Sequence, residues 1–179
     1  MVHKHKGHYL DTKHPMIVEN LMGIKRVKGS IQKGKKPLLI NHLKSIINVI
    51  NEQKLEEIKK LRDKSIILIG FGGGFRRTEL ISIDHEDLEF VPEGLKITIK
   101  RSKTDQYGEG MIKGLPYFNN EIYCPVKNLQ KWLEISKIKA GPIFRRFSKG
   151  LSLSDKRLTD QSVVLLMKEY LRLSGIENK

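Results

Sequence analysis

Two adjacent arginines, Arg76 and Arg77, follow a glycine run and stand just ahead of Glu79 in the stretch IGFGGGFRRTELISI, residues 69–83. A guanidinium is a permanently charged planar fork of donors that fits two oxygens of a phosphate or a carboxylate. The glycines suggest nucleotide loops as well, and both such loops fail on spacing. A phosphate loop needs Gly, four residues, then Gly-Lys-Ser/Thr; after Gly70 or Gly72 nothing fits, and Phe75 and Arg76 break the motif. A dinucleotide fingerprint starting at Gly70 requires glycine at position 75, where Phe75 stands. What remains is a turn in which Gly72, Gly73 and Gly74 end one helix and permit a positive φ. In its plainer version Arg76 and Glu79 merely pair across one helical turn, worth about 0.2–0.5 kcal/mol. In the other version the turn gathers backbone N–H groups, the positive end of a helix dipole and the guanidinium into a site for one phosphate.

Flanking elements must hold that turn. Ahead of it, Leu39, Leu43, Ile46, Ile47 and Ile50 recur at helical spacing, and a second helix begins near Asp63 and carries Ile66, Ile67 and Ile69 up to the glycines. After it, TELISI continues as a short helix. The period then changes: Leu95, Ile97 and Ile99 alternate with Lys96, Thr98 and Lys100, as in a strand with one wet face. SKTDQYGEG can turn the chain and Met111 to Phe118 can return it, which predicts a hairpin. Pro125 suits the first turn of a helix with Val126, Leu129, Trp132 and Leu133 on one face. The last helix opens at Thr159 or Asp160, carries Val163, Met167, Tyr170 and Leu171, and ends near Gly175. HPMIVENLMGIKR reads as a further short helix, and residues 25–37, basic with glycines, as a linker.

The chain has 179 residues, 34 Lys and Arg against 20 Asp and Glu, and a net charge of +14. Such an excess on a small chain fits polyanion binding. It is concentrated at one end, since residues 1–44 carry ten Lys and Arg against only Asp11 and Glu19. A single cysteine, Cys124, excludes an internal disulfide. No apolar run reaches the roughly 18 residues of a membrane span. The basic start MVHKHKGHYL has no apolar stretch behind it, so a soluble, cytoplasmic, nucleoid-associated protein is expected. His3, His5 and His8 lie in a lysine-rich terminus without acidic partners and make a poor metal site. Arg145, Arg146, Lys149, Lys156 and Arg157 form a basic cluster that is either a solvated face or a track for a nucleic-acid backbone.

GFGGGFRRTELISIDHEDLEF, followed by ITIKRSKTDQYGEGMIKGLPY and by CPVKNLQKWLEI through to LSGI, resembles the catalytic domain of tyrosine recombinases of the phage integrase family. HPMIVENLMGIKR resembles the end of the helical core-binding domain that precedes it. The resemblance runs from about His14 to Ile176 and implies an α+β, mostly helical fold with a small antiparallel sheet, incomplete at its C-terminus. It implies residues 1–24 as a remnant of the core-binding domain, 25–37 as the linker and 38–179 as the N-terminal part of the catalytic domain. The family's Arg-x-x-Glu-Leu motif matches at Arg76, which would clamp the scissile phosphate with Glu79 in support. Its hairpin lysine, a general acid for the leaving 5′ oxygen, matches Lys103, with Lys100 as a substitute. Arg77, Lys100, Arg101, Arg145 and Arg146 would contact DNA. The family's reaction uses no cofactor, neither metal nor nucleotide.

The pattern then stops. None of the six histidines begins His-x-x-Arg, and LSGIENK stands where that segment and the later nucleophilic tyrosine would follow. Tyr170 falls on an apolar helix face and reads as a core residue; Tyr107, Tyr117 and Tyr123 match nothing catalytic. The expectation is a truncated recombinase domain that binds double-stranded DNA without cleaving it. A second polypeptide carrying the missing half is a candidate partner, and Val163, Leu166 and Met167 would be left as an exposed apolar patch. Two alternatives compete. A generic basic nucleic-acid-binding protein predicts equal losses on removing any surface arginine, and a nucleotide enzyme predicts protection from unfolding by ATP or NAD.

Overall fold

The computed structural model describes residues 11–29, 37–100, 110–148, 150 and 152–176. The chain divides into two compact units, Met1–Pro37 and Leu38–Lys179. In the first, helix α1 (Pro15–Lys28) starts on Pro15 and ends in Lys25, Arg26 and Lys28, so it runs on over four residues whose composition suggests a linker. Lysine and arginine suit the negative end of the helix dipole. None of its residues is buried.

In the second unit α2 (Ile40–Glu52) buries the stripe Leu43, Ile46, Ile47 and Ile50. Helix α3 (Glu57–Gly72) is the central element: Ile66, Ile67, Leu68 and Ile69 are all buried, as expected of a helix covered on every side. It begins six residues earlier than the periodicity suggests, and its packing is most extensive against α5 (Pro125–Ser136). Ser65 Oγ donates to the Asn128 carbonyl at 3.0 Å across that contact, and the Trp132 indole N–H donates to the Ile143 carbonyl at 2.8 Å. Helix α6 (Asp160–Leu173) is capped by Thr159 and packs on α2 and α3. Val163 and Leu166 are buried there, which corrects the expectation of an exposed patch. Their partners are in hand within residues 38–176. Among the described residues no helix is long and apolar enough to cross a membrane.

A short α4 (Arg77–Ser82) leads into a three-stranded antiparallel sheet, β1 (Leu88–Val91), β2 (Gly94–Ile99) and β3 (Met111–Pro116). The β2–β3 hairpin is the expected one; β1 joins β2 through the tight turn at Pro92 and Glu93, with Leu88 opposite Ile97. Leu95, Ile97 and Ile99 face the core while Lys96 and Thr98 are exposed. A second, unexpected hairpin pairs β4 (Arg145–Phe147) with β5 (Leu153–Arg157).

One joint between helices is ionic. Asp63, 1% exposed, accepts from Arg62 Nη2 at 2.7 Å and Nε at 2.9 Å, from Lys59 Nζ at 3.0 Å and from the Tyr170 hydroxyl at 2.8 Å. Arg62 also lies over the Phe147 ring. Burial, and next the Asp63 charge, push the Tyr170 phenol well above its ordinary range.

Candidate functional site

The end of α3 explains the glycines. Phe75 N–H donates to the Gly70 carbonyl at 3.1 Å and Gly74 N–H to the Phe71 carbonyl at 3.3 Å, the paired bonds of a Schellman cap. Gly74 sits at φ +56°, where an L side chain is strained. At Gly73 a Cβ would stand 2.2 Å from the Phe75 ring, which folds back over the turn. No nucleotide loop is formed: the Gly73, Gly74 and Phe75 amides are spent on the carbonyls of Ile69, Phe71 and Gly70.

The turn delivers Arg76 in extended conformation to the start of α4. Glu79 reaches back, taking the Arg76 backbone N–H on Oε2 at 3.0 Å and the Arg76 guanidinium, through Nη1, on Oε1 at 2.8 Å. The Glu79 side chain is 5% exposed and that of Arg76 is 49% exposed. The buried acid therefore fixes the orientation of the guanidinium while about half of the arginine side chain faces solvent. One expectation needs correcting in this light. The Arg76 amide expected to help cradle a phosphate is occupied by the chain's own carboxylate, so the charged side chain, not the helix end, is what the turn presents.

A second cation meets the same carboxylate. Lys113 on β3 has its Nζ 3.8 Å from Glu79 Oε2, donates to the Gly73 and Gly74 carbonyls at 3.0 and 3.2 Å, and lies 4.4 Å from the centre of the Phe75 ring. It was missed in the sequence, although a signal exists: it occupies the inward-facing row of β3, opposite Ile97 and two residues before the buried Leu115.

The remaining candidates fall into three groups. Lys103 and Arg101, with Tyr107, lie outside the described residues, as do His3, His5 and His8. Lys100 lies at the end of β2, 2.8 Å from Asp87 and 3.6 Å from Asp84. The hydrogen bond to Asp87 raises its pKa, so it remains a cation, and its side chain is 62% exposed. Arg77 comes within 4.0 Å of Asp160, both half-exposed. The basic cluster is the third group. Arg145 is tied inward, to the Pro142 and Ala140 carbonyls and to Asp155. Arg157 closes on the Ile81 carbonyl at the end of α4 and on Asp84. Arg146 is exposed and donates from Nε to the Arg157 carbonyl at 3.0 Å.

No other chemistry gathers among the described residues. No group of three His, Cys, Asp or Glu side chains is placed to hold a metal ion. A hollow of about 470 Å³ lined by Ile40, Leu43, Leu68, Phe71 and Tyr123 has Lys44 as its one charged group, so it offers no acid–base pair.

No family model matches the sequence. The chain is 40% identical over 171 residues to an integrase/recombinase xerD homolog of Selenomonas ruminantium, a match covering 96% of this chain and 49% of the relative. It thus spans about half the length of the curated relative it matches. Its fold is shared with the XerH site-specific recombinase, solved bound to difH substrate, at a TM-score of 0.58 and 17% identity over 84% of this chain and 39% of that one. The XerA recombinase gives a TM-score of 0.56 and 15% identity over 99% of this chain and 67% of the other. Sequence likeness to that integrase/recombinase homolog, and a fold shared with two solved recombinases, support the resemblance to the tyrosine recombinase family.

Proposed function

We propose that residues 1–179 bind duplex DNA, with Arg76 gripping a backbone phosphate, and that by themselves they do not cut the strand. The observation that carries the reading is the asymmetric pair: Glu79 is buried and aims the guanidinium, while Arg76 keeps about half of its side chain in solvent. A planar fork whose orientation a carboxylate sets through Nη1 suits the recognition of a phosphate. Lys100, a persistent cation at the end of β2, and the net charge of +14 supply the surrounding field. Solved relatives of the same fold, such as XerH, carry DNA substrate. In the family's scheme Lys103 would protonate the leaving oxygen, with Glu79 as the support of Arg76.

Cleavage needs a tyrosine hydroxyl free to attack phosphorus. Tyr170 is unfit, since the residue is 1% exposed and its hydroxyl donates to Asp63. Tyr123 donates to Asn48, and no histidine here opens a His-x-x-Arg motif. A suicide DNA substrate is therefore expected to give no covalent adduct with this chain, and EDTA to leave binding unchanged. A second polypeptide bearing the missing groups would restore adduct formation when mixed in.

The discriminating experiment compares Arg76→Ala with Lys156→Ala, an exposed lysine of the basic cluster, by fluorescence anisotropy on labelled duplex. Loss of a charged hydrogen bond costs about 1.5–3 kcal/mol, roughly 10- to 150-fold in affinity. The clamp predicts that loss for Arg76→Ala and under about threefold for Lys156→Ala. Equal losses would favour generic basicity.

A further inference from the structure

The inward-facing row of β3 carries a charge where the fold would ordinarily place an apolar side chain. On β2 the same face is Leu95, Ile97 and Ile99, all buried; on β3 it is Met111, Lys113 and Leu115, with Lys113 directly opposite Ile97. An ammonium in such a place needs oxygen partners, because an unpaired buried charge is costly. Lys113 has three: the Gly73 and Gly74 carbonyls, which a helix end leaves without intrahelical donors, and Glu79 Oε2. Its side chain is only 19% exposed and its ammonium lies over the Phe75 ring. These contacts come from a strand distant in sequence and fall on four residues around Arg76: Gly73, Gly74, Phe75 and Glu79.

We propose that Lys113 is the positioning residue of the site: it fixes the Gly73–Gly74 cap and the Glu79 carboxylate, and through them the guanidinium of Arg76. This rests on the reading of Arg76 as the phosphate clamp. Glu79 bonds the Arg76 backbone and side chain at once, so a rotation of its carboxylate moves both. The cap, Gly74 at φ +56°, has no side chain of its own to resist such a rotation.

The test observes Arg76 directly. The guanidinium Nη–H resonances of Arg76, assigned by their loss in Arg76→Lys, are followed by ¹⁵N NMR in the whole chain. The indole N–H of Trp132, the single tryptophan, reports whether the core is intact. In Lys113→Met the Arg76 N–H is expected to exchange with water at least fivefold faster while the indole signal stays in place, and DNA affinity falls about tenfold. Lys113→Arg, which can reach the same carbonyls and carboxylate, restores both. The losses in Lys113→Met and Arg76→Ala are expected not to add in the double variant. An unchanged Arg76 exchange rate in Lys113→Met, or fully additive losses, overturns the proposal. If Lys113→Met loses the indole signal, Lys113→Gln takes its place with the same two outcomes. The clamp reading fails separately, when DNA leaves the Arg76 resonance of the unaltered chain unmoved; the exchange measurement on Lys113 needs no DNA and decides its own question.

Discussion

Two arginine–carboxylate pairs, one midway along α3 and one just past its C-terminal turn at the start of α4, use the same chemistry for different ends. At Asp63 both partners are buried, Arg62 at 8% and Asp63 at 1%, and the donors around the acid all come from the protein. At Glu79 only the acid is buried; the arginine is half in solvent. Burying both charges makes a fixed joint between helices, at a desolvation cost that fully formed hydrogen bonds must offset. Burying only the acid makes a holder for a cation that still meets whatever approaches from outside. Exposure of the arginine, not the presence of a salt bridge, separates the structural pair from the candidate site.

The comparison can be broken most forcefully at the buried pair. Asp63→Ala strands Arg62, Lys59 and the Tyr170 hydroxyl, and a loss of about 3–5 kcal/mol in urea unfolding is expected. A loss below about 1 kcal/mol would show that the joint is not what holds α3 to α6. Gly74→Ala comes next. Forcing an L side chain to φ +56° costs about 1–2 kcal/mol, and the strained cap should also lower DNA affinity because it carries Arg76. Unchanged affinity in a folded variant would disconnect cap from clamp.

Tyr170→Phe is the mildest, about 1 kcal/mol at neutral pH, and it has a pH signature. The folded phenol holds its proton beyond the ordinary value of 10.0, whereas the unfolded one releases it there. Its contribution is thus complete below pH of about 10 and fades as pH rises further. Stability measured from pH 8 upward should decline less steeply in Tyr170→Phe than in the parent chain. Parallel declines would mean that the hydroxyl does not feel Asp63.

Much of this organisation can be read from residue order. The apolar period of 3.6 marks α2, α5 and α6 because each buries one continuous stripe, and the alternation in β2 marks the sheet. The Arg76–Glu79 spacing marks the turn. What hides does so where charge is buried. The first six residues of α3 carry the charged run Glu57-Ile58-Lys59-Lys60-Leu61-Arg62, which interrupts the apolar pattern, and the partners that neutralise Arg62 and Asp63 include Tyr170, 107 residues from Asp63. The second hairpin escapes for the same reason. Arg145 and Arg157 look like solvated charges in sequence, yet both bond backbone carbonyls. Lys113 hides because a strand lysine ordinarily points to water, and only its parity with Leu115 betrays it.

The central claim is geometric: Arg76 acts as an oriented fork, not as one more positive charge. Arg76→Lys tests it most directly, because lysine keeps the charge and loses the fork. Binding of duplex DNA by this variant, with Trp132 fluorescence confirming the fold, should be nearly as weak as in Arg76→Ala, at least tenfold below the parent. Parental affinity in Arg76→Lys would contradict the account and leave charge alone as the reason this chain binds DNA.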